Sequence, residues 1–131
     1  MGEYKESLCS GGDLVVTGDK WYIRYYFPGP DLRYNGDFFK IDSSEIDMYI
    51  LAWKNNFDKY LQLKKSLSLE GTYEIKGEAG MIIRIGGWRD GVCISGWHMN
   101  INEQSKINGI ITDYQRCKVK APAIQEILKS L

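Results

Sequence analysis

The chain has few of the residues on which metal and disulfide sites depend. It contains one histidine, His98, and three widely spaced cysteines, Cys9, Cys93 and Cys117, with no Cys-x-x-Cys pair. A structural zinc site needs four closely spaced Cys or His ligands, so we expect no metal site. An odd cysteine count predicts free thiols, which are typical of a reducing compartment. We therefore expect a cytoplasmic protein.

Long apolar runs and net charge are also missing. No run approaches the roughly 20 apolar residues that span a bilayer, and the polar first residues lack the apolar region of a secretory signal. The formal net charge is zero, but residues 1–50 carry five Lys/Arg against nine Asp/Glu, and residues 51–131 carry twelve against eight. Such asymmetry can steer a charged partner, although folding can also mix the two halves.

Apolar and aromatic residues are plentiful, at 44% and 13% of the chain, which excludes a disordered protein. The segment 81–99 is the most regular. Met81, Ile83 and Ile85 alternate with other residues before the turn, and Val92 and Ile94 alternate after it. Period-two alternation on both sides of a turn that ends in Asp-Gly predicts two paired β-strands.

Further strands are predicted at 14–17, 20–27, 37–41 and 72–76, after a flexible lead-in over residues 1–12. An apolar stripe predicts a helix that begins with Ser44 and Asp47 as a capping-box variant and runs to about Lys65. A second helix follows Asn102, and a short terminal helix restarts at Pro122. The stripe of the first helix consists of Ile46, Tyr49, Ile50, Trp53, Phe57, Tyr60 and Leu61. The predicted buried face of the second helix consists of Ile107, Ile110, Ile111, Tyr114 and Cys117. The residues expected to dock the terminal helix are Ile124, Ile127, Leu128 and Leu131.

These elements predict one α+β domain over residues 1–131. We expect a mostly antiparallel sheet of about five or six strands with helices packed on one face, in the order β-β-β-α-β-β-β-α-α. The sequence contains no internal repeat and no linker that would split the chain.

Catalytic motifs are weak. Cys93 and His98 are the obvious nucleophile and base, but strand positions five apart point to opposite faces, which favours packing for Cys93. The carboxylates near Asp42 suit a helix start, and the glycines match no phosphate-binding motif, so we expect no enzyme activity and no cofactor. The neutral charge also argues against direct nucleic-acid binding by the aromatic and basic segment 21–26.

A protein interface is the remaining interpretation, because Tyr, Trp and Arg are enriched at interface hot spots. Strand alternation predicts that two tyrosines lie on an exposed face, and the hairpin turn presents an aromatic, a cation and an acid. Two acidic loop residues complete the candidate surface. The predicted partner-binding residues are Tyr22, Tyr26, Asp31, Asp37, Trp88, Arg89 and Asp90.

Two stretches, IDSSEIDMYILAWKNNFDKYLQLKKSL and MIIRIGGWRDGVCISGWHMNI, together with the terminal ITDYQRCKVKAPAIQEILKSL, resemble small bacterial immunity proteins of contact-dependent growth inhibition systems. The resemblance covers roughly residues 38–131 and rests on overall pattern. It implies a small, cytoplasmic, non-enzymatic protein that binds the C-terminal toxin domain of its own delivery protein, often a nuclease, and blocks its active site or substrate access.

The distribution of charge along the chain agrees with the binding of a nuclease that this resemblance implies. A nuclease is basic where it holds phosphates, so an inhibitor should offer carboxylates, which the acidic first third of the chain supplies. Two alternatives stay open: a general protein- or ligand-binding α+β module without a toxin partner, and a Cys-dependent enzyme centred on Cys93 and His98.

Overall fold

The structure is a computed structural model that describes residues 2–26, 38–67, 71–94 and 99–131. Its chain divides into two compact units, and each is described here by itself. Unit 1 comprises residues 1–46 and 109–131, and unit 2 comprises residues 47–108. The predicted α+β class with antiparallel strands is confirmed, whereas the single domain stays a prediction.

Unit 1 contains a four-stranded antiparallel sheet whose strands lie in chain order. Its strands are β1 (Tyr4–Ser7), β2 (Asp13–Val16), β3 (Trp21–Tyr26) and β4 (Phe38–Asp42). The prediction that residues 1–12 form a flexible lead-in is wrong for β1. The Ser-Gly-Gly segment that indicated a flexible break is the hairpin turn between β1 and β2, with Gly11 and Gly12 at φ 103° and 81°.

Unit 2 contains a second sheet of three antiparallel strands, in the order β5-β6-β7. The strands are β5 (Tyr73–Lys76), β6 (Ile82–Ile85) and β7 (Gly91–Cys93). Ile83 pairs with Ile75 on one side and Val92 on the other. The described residues therefore form seven strands in two sheets rather than one sheet of five or six.

Helix α1 (Ile46–Ser66) follows a short 3-10 turn and confirms most of the predicted stripe. Tyr49, Trp53, Phe57 and Tyr60 are buried, as are the predicted core residues on the second helix, whereas Leu61 is exposed. The capping pair lies two residues earlier than the predicted pair of Ser44 and Asp47. The backbone N–H of Asp42 donates to Glu45 Oε1 at 3.3 Å, so Asp42 and Glu45 form the capping pair.

Helix α2 (Gln104–Lys129) is continuous, so the predicted restart at Pro122 is wrong. Proline removes one backbone donor from a helix interior, but the ring of Pro122 faces solvent. The helix continues because Tyr114, Ala121 and Leu128 are buried along one face on both sides of the proline. Ile127 and Leu131, which we expected to dock, are exposed.

Polar contacts join α2 to the sheet of unit 1. The buried carboxylate of Asp113 accepts hydrogen bonds from the backbone N–H of Ser10 at 2.9 Å and from its hydroxyl at 2.5 Å. The hydroxyl of Tyr25 on β3 lies 2.5 Å from that of Tyr114. Burial, and then the neighbouring Tyr114, raises the pKa of Tyr25 well above its ordinary value, so Tyr25 is a neutral hydroxyl at pH 7.

Candidate partner-binding site

Three of the predicted site residues lie together in the turn between β6 and β7. The turn begins with Gly86 and Gly87, at φ 83° and 76°, a region that glycine adopts without strain. A side chain on Gly86 would place its Cβ 2.6 Å from the carbonyl oxygen of Gly71. The turn therefore packs closely against the segment that leads into β5, and only glycine fits at this position.

Asp90 fixes the conformation of this turn. Its carboxylate accepts a hydrogen bond from the backbone N–H of Gly86 at 2.8 Å and forms an ion pair with Lys64 Nζ at 3.0 Å. It also accepts a hydrogen bond from the hydroxyl of Tyr60, one helical turn before Lys64 on α1. Only 15% of the Asp90 side chain is exposed. Asp90 thus ties the turn to α1 rather than presenting its charge to solvent.

The electrostatics agree with this anchoring role. Burial alone would raise the pKa of the Asp90 carboxyl, but the hydrogen bonds from Tyr60, Gly86 and Lys64 together outweigh it and lower the pKa. Burial and the bond to Asp90 raise the pKa of Tyr60, and the bonds to Tyr60 and Asp90 raise that of Lys64. At neutral pH the cluster holds a carboxylate, a neutral phenol and an ammonium.

Trp88 and Arg89, which we call the hairpin tip, are an exposed and a partly exposed residue, respectively. The Trp88 side chain is 86% exposed, although tryptophan is usually well buried. The Arg89 guanidinium carbon lies 4.2 Å from the centroid of the Trp88 ring, within the range of a cation–π contact. The two side chains therefore form one aromatic and cationic surface on a turn whose backbone is held by Asp90.

The two predicted tyrosines belong to unit 1 and differ from each other. Tyr26 is 48% exposed, as predicted, but Tyr22 is only 8% exposed, so the prediction of an exposed Tyr22 is wrong. Lys20 and Lys40 place their ammonium groups 5.7 and 5.0 Å from the Tyr22 ring centroid. Strand alternation predicted which residues of β3 share a face, but it did not predict that both faces are covered near Tyr22.

The predicted acidic surface is only partly visible. Asp31 and Asp37 lie outside the described residues. Among the described acids of the N-terminal half, Glu6 forms an ion pair with Lys120 of α2, and Asp13 lies 3.4 Å from Arg24. Unit 1 carries nine Lys/Arg against ten Asp/Glu, and unit 2 carries eight against seven. Folding thus mixes the two halves of the chain and removes most of the charge asymmetry.

The cysteine hypothesis gains no support from the described residues. Cys93 is fully buried, and His98 lies outside the described residues. Burial raises the pKa of the Cys117 thiol to about 11, which keeps it protonated at neutral pH. Across residues 2–26, 38–67, 71–94 and 99–131, no group of three His, Cys, Asp or Glu side chains is arranged to hold a metal ion.

Sequence reasoning missed Tyr60 and Lys64 as parts of the site. Their spacing of four residues places them on neighbouring turns of one helix face, which predicts contact between them. Their shared partner Asp90 is 26 residues beyond Lys64, and no local pattern connects positions so far apart. The aromatic stripe assigned Tyr60 to the core, which is confirmed, but it gave no sign of the hydroxyl's role.

No family model, curated protein or solved structure matches the chain. Within the part of the chain that the structure describes, no helix is long and apolar enough to cross a membrane. The function must therefore be inferred from the residues themselves.

Proposed function

We propose that this chain is an immunity protein of a contact-dependent growth inhibition system, which binds and neutralises a cognate toxin domain. The toxin is most simply a nuclease, and binding blocks its active site or its access to substrate. The likeness of residues 38–131 to such immunity proteins supports this proposal, and the exposed hairpin tip supplies a contact surface for it.

One observation carries the proposal: Trp88 is almost fully exposed on a turn with a fixed backbone. Exposing a tryptophan to water gives up the favourable burial of a large apolar surface. A preorganised aromatic and arginine pair also loses little conformational freedom when it binds. Both properties are those of an interface anchor, because Trp and Arg dominate the binding energy of many protein complexes.

Carboxylates are the second part of the proposed contact. A nuclease carries positive charge where it holds phosphates, and acidic side chains can occupy that position. Asp31 and Asp37 remain the proposed acids, with exposed Tyr26 beside them in the sequence. Glu6 and Asp13 are paired with Lys120 and Arg24 of the same chain. The proposal therefore relies on Asp31, Asp37 and the hairpin tip rather than on all the acids of the N-terminal half.

Growth rescue tests the proposal directly. The C-terminal domain of a large secreted protein encoded immediately upstream would be expressed with and without this chain, and the pair isolated from the same cells. We expect growth arrest that this chain relieves, together with a stable complex. Toxicity that persists, with no complex formed, would contradict the immunity role and favour a binding module without a toxin partner.

Trp88→Ala tests the contact surface. Because the side chain is exposed, we expect little change in stability, while affinity for the toxin falls roughly tenfold or more, as for an interface hot spot. Leu51→Ala is the matched control, since Leu51 is an exposed apolar residue on α1. Titration calorimetry with the purified toxin domain measures both variants. Equal affinities for Trp88→Ala and the wild type would remove the hairpin tip from the interface.

A further inference from the structure

The outer face of α2 carries an apolar stripe that is exposed in the part of the chain that the structure describes. Val119 and Ile127 are 78% and 62% exposed, and Ala123 between them is also exposed. Residues four apart lie on the same side of a helix, so these three side chains form a continuous row of about 12 Å at 1.5 Å per residue. The opposite side is the one that packs into unit 1, through Tyr114 and Cys117.

The charges beside this stripe differ in sign between its two ends. Arg116 and Lys120, one turn apart, precede Ala123, and Glu126 follows it. Arg116 and Glu126 are 64% and 77% exposed, and their contacts to Asp113 and Lys129 are long, at 3.9 and 3.5 Å. Exposed pairs of this kind contribute little to stability, so both charges can contact another molecule at small cost.

We infer that the outer face of α2 binds the same face of a second copy of this chain, with the two helices antiparallel and a two-fold axis near Ala123. In that arrangement Val119 of each copy lies opposite Ile127 of the other, and the small side chain of Ala123 allows close approach at the axis. Lys120 of each copy, which pairs with Glu6 of its own chain, lies opposite Glu126 of the other, and Arg116 is the further cation within one turn of that Glu126. A parallel pair would instead place Arg116 and Lys120 against their own copies.

Charge complementarity and symmetry are the reasons for proposing a second copy of this chain as the partner. A closed two-fold dimer requires a self-complementary patch. On this face both cations precede Ala123 and the acid follows it, an arrangement that is self-complementary only in the antiparallel direction. Stable interfaces usually bury about 1,200–2,000 Å² in total, and three helical turns bury less. We therefore expect a weak dimer that forms with rising protein concentration.

Sedimentation velocity from micromolar to millimolar concentrations tests this inference on the full chain. We expect a monomer–dimer equilibrium that Val119→Glu and Ile127→Lys each weaken at least tenfold. The double variant Val119→Glu/Ile127→Lys should regain dimerisation, because the new charges face each other across the interface. Leu51→Glu, an exposed apolar position on α1, is the control and should leave the equilibrium unchanged. Circular dichroism verifies that each variant is folded.

Several results would overturn the inference. A chain that stays monomeric at every concentration would do so, as would a dimer that Val119→Glu leaves intact. Loss of the dimer in both single variants without recovery in the double variant would exclude the antiparallel pairing. A monomer that sediments with vesicles of anionic lipid would assign the stripe to a membrane surface instead. None of these outcomes depends on the toxin, so the dimer and the immunity role are tested separately.

Discussion

Both units use an aspartate to tie a turn to a helix, a buried one in unit 1 and a partly buried one in unit 2, but they do so in opposite directions. In unit 1 the helix supplies the carboxylate of Asp113, and the turn supplies the donors of Ser10. In unit 2 the turn supplies the carboxylate of Asp90, and the helix supplies the donors of Tyr60 and Lys64. The direction decides whether the anchoring carboxylate belongs to the turn or to the helix.

This difference has a functional consequence. Because Asp90 itself belongs to the turn, its anchoring fixes the backbone immediately after Trp88 and Arg89, and these two side chains project from a held segment. In unit 1 the anchored turn comprises residues 8–12, whose side chains include an exposed Cys9 but no large aromatic or cationic residue. The same kind of contact therefore holds the proposed binding surface in unit 2 and closes a hairpin in unit 1.

Removal of Asp113 should have the largest effect on stability. Asp113→Ala leaves the N–H and hydroxyl of Ser10 without their acceptor, so we expect a loss of about 1–3 kcal/mol in the free energy of unfolding. Asp113→Asn keeps one oxygen acceptor and should cost less. Urea denaturation measures both, with Gln115→Ala, an exposed change on the same helix, as the control. If Asp113→Ala were as stable as the wild type, the turn would not depend on this contact.

Removal of Asp90 should cost less, because one of its partners is exposed. Asp90→Ala loses three hydrogen bonds to a carboxylate, and we expect about 1–2 kcal/mol of destabilisation. Lys64 is nearly half exposed, so Lys64→Met should cost less than about 1 kcal/mol after solvent screening. Thermal and urea unfolding of the two variants, and of the double variant, give their coupling. Additive losses would show that Lys64 and Asp90 do not stabilise the turn together.

The sequence predicted what depends on local periodicity. Alternation predicted the strands on either side of Trp88, and the three- and four-residue spacing predicted the burial of Trp53 and Phe57. These predictions succeed because one residue's neighbours along the chain decide which face it occupies. The class of the fold follows from the same patterns.

What depends on distant contacts was not predicted. The burial of Tyr22 depends on what covers a second sheet face, and the anchoring of Asp90 depends on two residues of another element. Pro122 shows a third limit, since burial on both sides of the proline outweighs its unfavourable effect on the helix. The exposure of the hairpin tip was predictable from its polar turn, but the fixed backbone beneath it was not.

The smallest predicted effect is the dependence of the Asp90 anchor on acid pH. The folded pKa of Asp90 is lowered, so its contribution is complete above the unfolded value of about 3.9 and is lost as the pH falls through the folded pKa. The stability difference between the wild type and Asp90→Asn should therefore be constant near neutrality and shrink below about pH 4. Glu6 also has a lowered pKa, because of its bond from Lys120, so the wild type alone is not informative.

The comparison between variants isolates Asp90 from that background. Urea denaturation at several pH values between about 2.5 and 7 gives the free energy of unfolding of the wild type, Asp90→Asn and Glu6→Gln. Each variant removes one acid-sensitive group, so the wild type should converge with each of them only as the pH falls. A difference between the wild type and Asp90→Asn that stayed constant down to the lowest pH would mean that the carboxylate's charge does not hold the turn. The hairpin tip would then owe its fixed backbone to other contacts, such as the close packing of Gly86 against Gly71 and the hydrogen bond from Asn102 Nδ2 to the Asp90 carbonyl at 3.1 Å.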